Sequence, residues 1–238
     1  MAVMFKFLKS LFSGVPDYVP NPAATPEQKR ALACNAVLAH INGDQHEWLK
    51  GAPPQDVSAE QVQAVLGASW SIENREDLLG TLSWLESEGH RAEYERIRAL
   101  FEAKGEFKQD ASELIRDDPA MQNISAEDMV AFRNHANGML GFWQTHRSIL
   151  GWDLSRAISL CRWGATCGYL TEEEAWQRIA GYAAQLRQAF SSWPELGENY
   201  RAGFNFWSDD DDDDEISSAI KALQDADNAN SPWKLNTW

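Results

Sequence analysis

Apolar residues in this chain recur every three or four positions and almost nowhere in strict alternation, so it reads as a succession of amphipathic helices. Thr25, followed by Pro26 and Gln28, forms a capping box for a helix whose apolar face is Cys34, Val37, Leu38 and Ile41, with Gly43 placed to end it. Ser58 and Gln61 open a second helix through Val62, Val65 and Leu66. Asn74 caps a third through Leu78, Leu82 and Leu85, stopping near Gly89; the next puts Tyr94, Ile97 and Phe101 on one face and closes at Gly105. Ser125 with Asp128 opens a long helix whose apolar line is Met129, Phe132, Ala136, Met139, Trp143 and Leu150. Gly138 and Gly141 weaken its middle by about 1 kcal/mol each relative to Ala, which is where a break is expected.

A further apolar helix follows Asp153, and "GATCG" (Gly164–Gly168) ends it before Thr171 and Glu174 box the next, with Trp176, Ile179, Ala183, Leu186 and Phe190 at helical spacing. "SSWPELGENYRAGFNFW" reads as a turn and a shorter aromatic helix, "ISSAIKALQDA" as a last short helix, and "SPWKL" as an extended end. No fixed repeat appears. The expected fold is all-α: a single globular, non-solenoid helical domain of about eight helices over residues 25–238. An amphipathic arm and Pro-rich connector, residues 1–24, precede it.

Charge and composition narrow the partners. The net charge is −15, and the acidic run Asp209–Glu215, expected as a solvated loop, leaves −8 elsewhere. Such a field repels phosphate backbones and argues against nucleic acid while suiting a basic protein partner. Eleven tryptophans anchor a core that is partly polar, because each indole N–H needs an acceptor. Three cysteines without close spacing give no disulfide framework and fit a reducing cytoplasm, as small core hydrophobes. No stretch is long and apolar enough to span a bilayer, and residues 1–12 lack the uninterrupted apolar region of a secretory signal. Those twelve residues are expected to dock on the protein's own core, membrane-surface contact being the lesser alternative.

Reactive residue types are few. Asp153, just after Gly151, is placed to cap its own helix and to pair with Arg156 at i+3, whereas Arg162 falls on the opposite face. The alternatives are a cap-and-brace pair or a pair lining a pocket. His135 and His146 lie roughly 16 Å apart along a helix, and His90 with Glu93 lacks further ligands, so no metal site is expected. No phosphate loop, nucleophile elbow or CxxC occurs, and no cofactor is implied.

Four stretches together resemble a bacterial family, domain of unknown function 1266: "SWSIENREDLLGTLSWLESEGHR", "LGWDLSRAISLCRWGATCGYLTEEEAW", "SSWPELGENYRAGFNFW" and "SPW", spanning residues 69–233. The resemblance places family positions on Trp70, Gly89, His90, Arg91, Trp152, Asp153, Arg156, Gly168, Tyr169, Glu173, Ala175, Trp176, Ser231, Pro232 and Trp233. It implies a helical bacterial protein and no reaction. Two readings follow. The first is an acidic, cytoplasmic protein-interaction or regulatory module of antitoxin-like kind. The second is an enzyme or small-ligand binder whose polar–aromatic pocket gathers Asp153, Arg156, His90 and Tyr169, with Trp70, Trp152 and Trp176 as binding aromatics.

Overall fold

The computed structural model describes residues 18–50, 58–103, 125–208 and 213–238. The first twelve residues, Gly105 and Asp209–Asp212 lie outside them, as do the side chains of Met129 and Phe132. The described residues form helices and no strand: α1 (Pro26–Ala33), α2 (Ala36–Asn42), α3 (Ala59–Trp70), α4 (Arg75–Ser87), α5 (Arg91–Ala103), α6 (Ala126–Thr145), α7 (Leu150–Thr166), α8 (Glu172–Ala189), α9 (Trp193–Trp207), α10 (Asp214–Gln224) and α11 (Pro232–Leu235). The capping boxes at Thr25, Ser58 and Thr171 all form, as does the Asn74 cap. Gly43 and Gly89 end their helices with φ of 71° and 59°.

The fold is built around α7. Every residue from Gly151 to Ala165 is buried, and α8, α9 and α4 pack along the helix, with α2 and α3 at shorter contacts. A helix apolar around most of its circumference is stable only when neighbours cover all its sides. The closest approach is at Gly203 of α9, where a Cβ would lie 2.1 Å from the Cβ of Trp152. Trp143, Trp152, Tyr94, Tyr200 and Phe101 are the largest fully buried side chains around this axis.

Three expectations are corrected. The first helix is two, α1 and α2, because the chain turns at Asn35, whose side chain is taken by α7. There the Asn35 amide donates to the Ser155 carbonyl (3.0 Å) and to Ser159 Oγ (2.7 Å). Next, α6 runs unbroken through Gly138 and Gly141, both solvent-exposed, and the break comes after Thr145, so Leu150 begins α7. Lastly, the C-terminal end is not extended: Ser231 Oγ accepts from Trp233 N and Pro232 starts a helical turn. Trp233 then reaches the Ala33 carbonyl through Nε1 (3.0 Å), tying the end of the chain to α1.

The Gly203 contact yields a direct stability test. Gly203→Ala should destabilise the protein by about 1–3 kcal/mol, the usual range for overpacking, and lower Tm by several degrees in a thermal melt. A melt within a degree of the parent would refute so close a crossing of α7 and α9.

Candidate functional site

The expected residues meet at the N-terminal half of α7, though in roles other than expected. Asp153 is fully buried in the first turn of α7 and does not cap its own helix, which begins at Leu150. Its carboxylate caps α5 instead: Oδ1 accepts from His90 N (3.0 Å) and Oδ2 from Arg91 N (3.1 Å). Arg91 Nη1 adds a charged bond to Oδ2 at 3.0 Å. Orphan N–H groups and the positive end of α5 thus find their anion on another helix. Gly89 permits this, since its φ is +59° and a Cβ there would lie 2.1 Å from Asp153 Oδ2. The ion partner of Asp153 is therefore Arg91, not Arg156.

Arg156, one turn further along α7, is 3% exposed. Its guanidinium lies between the indoles of Trp70 and Trp152, with Cζ 4.3 and 4.4 Å from their centroids, and Trp207 stands 5.7 Å away. Cation–π attraction of this kind strengthens as water is removed. Burial pushes the Arg156 pKa down to about 10, which still leaves the group cationic at neutral pH. Its hydrogen bonding is sparse. Nη1 lies 3.2 Å from His90 Nδ1, and no other hydrogen bond of this side chain occurs among the described residues.

His90 completes the cluster. Its side chain is 23% exposed, its Nδ1 lies 3.5 Å from Asp153 Oδ1, and its ring meets the edge of Trp84 at 4.9 Å. Trp84 is itself open to solvent, so the cluster reaches water on the His90 side. Around Arg156 the other polar groups are donors in search of acceptors. Trp70 Nε1, Trp152 Nε1 and Tyr200 Oη are buried without a hydrogen-bond partner. Tyr200 packs on Trp152 at 4.9 Å, and burial raises its pKa, keeping the hydroxyl protonated.

Arg162, on the same helix and 5% exposed, provides the contrast. It donates to Asn35 Oδ1 (3.1 Å) and to the carbonyls of Gln45 (2.7 Å) and Trp48 (3.0 Å). Ser155, Ser159 and Arg162 recur at i, i+4 and i+7, one stripe of α7 that binds α1, α2 and the loop after them. Arg162 does point away from Arg156, as its spacing predicts.

Tyr169 and Trp176 are not part of the cluster. The helix from Asp153 to Thr166 rises roughly 20 Å, and Tyr169 lies beyond that far end, donating to the Glu73 carbonyl at 2.6 Å. Trp176 is half-buried against the core on α8. Among the described residues no group of three His, Cys, Asp or Glu is arranged to hold a metal ion. The described end of the acidic run is not a free loop: Asp213 pairs with Arg201 at 3.2 Å, and Asp214 and Glu215 begin α10. Sequence reasoning missed Trp84, Tyr200 and Trp207, which lie in the family-like stretches but at none of the family positions named, and are recruited by packing against Trp152 and His90.

A family model described as a protein of unknown function (DUF1266) matches residues 65–238, nearly three-quarters of the chain, including every residue of this cluster. No curated protein and no solved structure matches the chain.

The Asp153 cap makes a second prediction. Asp153→Asn removes the charge that answers Arg91 and two backbone N–H groups, and should cost about 3 kcal/mol in urea unfolding with an unchanged m-value. A loss below 0.5 kcal/mol, as ordinary surface substitutions give, would rule out a structural role for the carboxylate.

Proposed function

We propose that this chain, which belongs to the DUF1266 family, is an oxyanion-binding module in which Arg156, approached past His90, takes the carboxylate or phosphate group of a small ligand. One observation carries the reading: a buried guanidinium with five N–H donors uses one of them on a protein atom, an imidazole nitrogen. Arg162 offers a contrast, since at similar burial its Nη1 and Nη2 donate to three carbonyl and amide oxygens and its Nε alone is unpaired. Leaving a buried charged group without acceptors is expensive, whereas an oxyanion would accept from guanidinium N–H groups in a bidentate pair. Burial of Trp70 Nε1, Trp152 Nε1 and Tyr200 Oη without acceptors adds to the same imbalance.

Binding fits better than catalysis. Asp153 spends both oxygens on α5 and Arg91, which commits it as an acceptor within the fold rather than as a general base, and no nucleophile stands among the cluster residues named above. The three cysteines are free, buried and without a nucleophilic neighbour role; burial raises the thiol pKa of Cys34 and Cys161 to about 12. Reduced, buried thiols fit a cytoplasmic protein. The net charge of −15 favours a basic protein partner as a second role, with anion occupancy as a natural regulator of that contact.

Titration of the protein with inorganic phosphate, citrate and acetate at constant ionic strength, followed by tryptophan fluorescence and calorimetry, tests the reading. One saturable site is expected for at least one of these anions, because Trp70, Trp152 and Trp207 ring the guanidinium. Arg156→Lys, which keeps the charge and loses the planar fork, should weaken binding about tenfold, or 1.4 kcal/mol. Flat titrations with all three anions on folded protein would remove the proposal.

A further inference from the structure

On the Arg162 side of α7, away from Arg156, the turn after α2 carries an unusual set of unanswered polar groups. The side-chain amide of Asn42 is buried with neither nitrogen nor oxygen bonded, and His46 Nδ1 and Asp44 Oδ2 are buried without a hydrogen bond. His40 and His46 face each other with ring centroids 6.4 Å apart. Native proteins leave few such groups, and each asks what answers it. Beside them is a cavity of about 270 Å³ whose lining includes Tyr18, His40, Asp44, His46, Asn228 and Asn230.

The chemistry of this lining has a sign. Burial, with Arg162 and His40 nearby, pushes the His46 pKa down to about 3, and burial lowers that of His40 too, so both rings are neutral imidazoles at neutral pH. Asp44 is the lining carboxylate; burial raises its pKa and Arg162 opposes that rise, with Nη1 3.7 Å from Oδ2, an ion pair too long for a hydrogen bond. Arg162 commits its short bonds to Asn35, Gln45 and Trp48 instead. Asn228 donates its amide to the Ala222 carbonyl, which leaves its side-chain oxygen as an acceptor. Tyr18 gives its hydroxyl proton to Glu47. The lining therefore offers acceptors: a carboxylate, one nitrogen of each neutral imidazole and an amide oxygen. A cation with N–H donors favours the ionised form of this carboxylate, and beside imidazoles that resist protonation the site repels anions.

We propose that this cavity binds a small organic ammonium ion, with Asp44 as counter-ion and His40, His46 and Asn228 as hydrogen-bond acceptors. Its volume falls just short of the roughly 300–1,000 Å³ of drug-sized pockets, so the ligand has few heavy atoms. A metal cation fits less well, since among the described residues no three ligating side chains are arranged for one. The site joins residues 18–46, outside the family match, to Asn228–Asn230 within it, so it is a feature of this chain's own N-terminal segment.

The test is an NMR titration of the full chain with methylammonium and with 1,4-diaminobutane at constant ionic strength, reading the His40 and His46 imidazole signals. Saturable shifts of both rings are expected with either ammonium and not with sodium or acetate. Asp44→Asn should weaken the response at least tenfold and leave any phosphate response at Arg156 unchanged. Because that substitution also strips Arg162 of its ion partner, Asn228→Asp on the opposite wall is the second variant, expected to tighten ammonium binding several-fold. No saturable shift in the folded parent, no effect of Asn228→Asp, or saturation by Zn²⁺ alone would each overturn the assignment.

Discussion

A helix covered on every side can carry charge only if each charge is answered from another element, and that condition on α7 organises this protein. Burying an unpaired ion costs several kcal/mol, so neighbours of α7 are selected as much by the polar groups they bring as by their apolar faces. The start of α5 is brought against Asp153 by its orphan N–H groups, and Asn35 interrupts the first helix to reach Ser155, Ser159 and Arg162. Glycines at 89 and 203 let backbone come close enough for these contacts. The polar pattern of one helix thereby fixes where three others, α1, α2 and α5, lie.

Within that arrangement the two buried arginines diverge. Arg162 is held by the fold through both terminal nitrogens, its buried Nε alone lacking a partner, and it ties α1, α2 and the following loop to α7. Arg156 is held in place by the faces of Trp70 and Trp152, which attract its charge without using its N–H groups. Aromatic stacking positions a guanidinium while leaving its fork free, which is a suitable way to prepare a binding group and a poor way to build a brace. Asp153 and Arg91 supply the rigid backing: they orient His90, whose Nδ1 sits between Arg156 and the carboxylate. The cluster contains one cation with spare donors and one anion whose oxygens are taken, and the proposed oxyanion site rests on that asymmetry.

Much of the fold was legible from local signals, because capping boxes and left-handed glycines act through neighbouring residues alone. Thr25, Ser58, Asn74, Thr171, Gly43 and Gly89 all did what short-range chemistry requires. The failures are places where tertiary contacts prevailed. Asn35 looked like an ordinary helix interior, and only its three bonds to α7 explain the turn there. Ser71 ends α3 at φ 54° without the glycine that would have announced it. At the site, Asp153, Arg156, His90, Trp70 and Trp152 were found from residue type and family resemblance. Their pairing was not, because i+3 spacing favours Arg156 as partner of Asp153 and nothing local shows that Arg91 arrives from another helix. Tyr169 and Trp176 were grouped with them by motif, and a long helix separates what the motif joined.

The central claim is that the spare donors of Arg156 await an oxyanion, and a crystal soaked in selenate examines it most directly. The account predicts an anomalous selenium peak within hydrogen-bonding distance of the Arg156 guanidinium, on the His90 side, with Trp70 and Trp152 still stacked on it. A guanidinium found bonded to protein oxygens throughout, with no selenium beside it, would contradict the account.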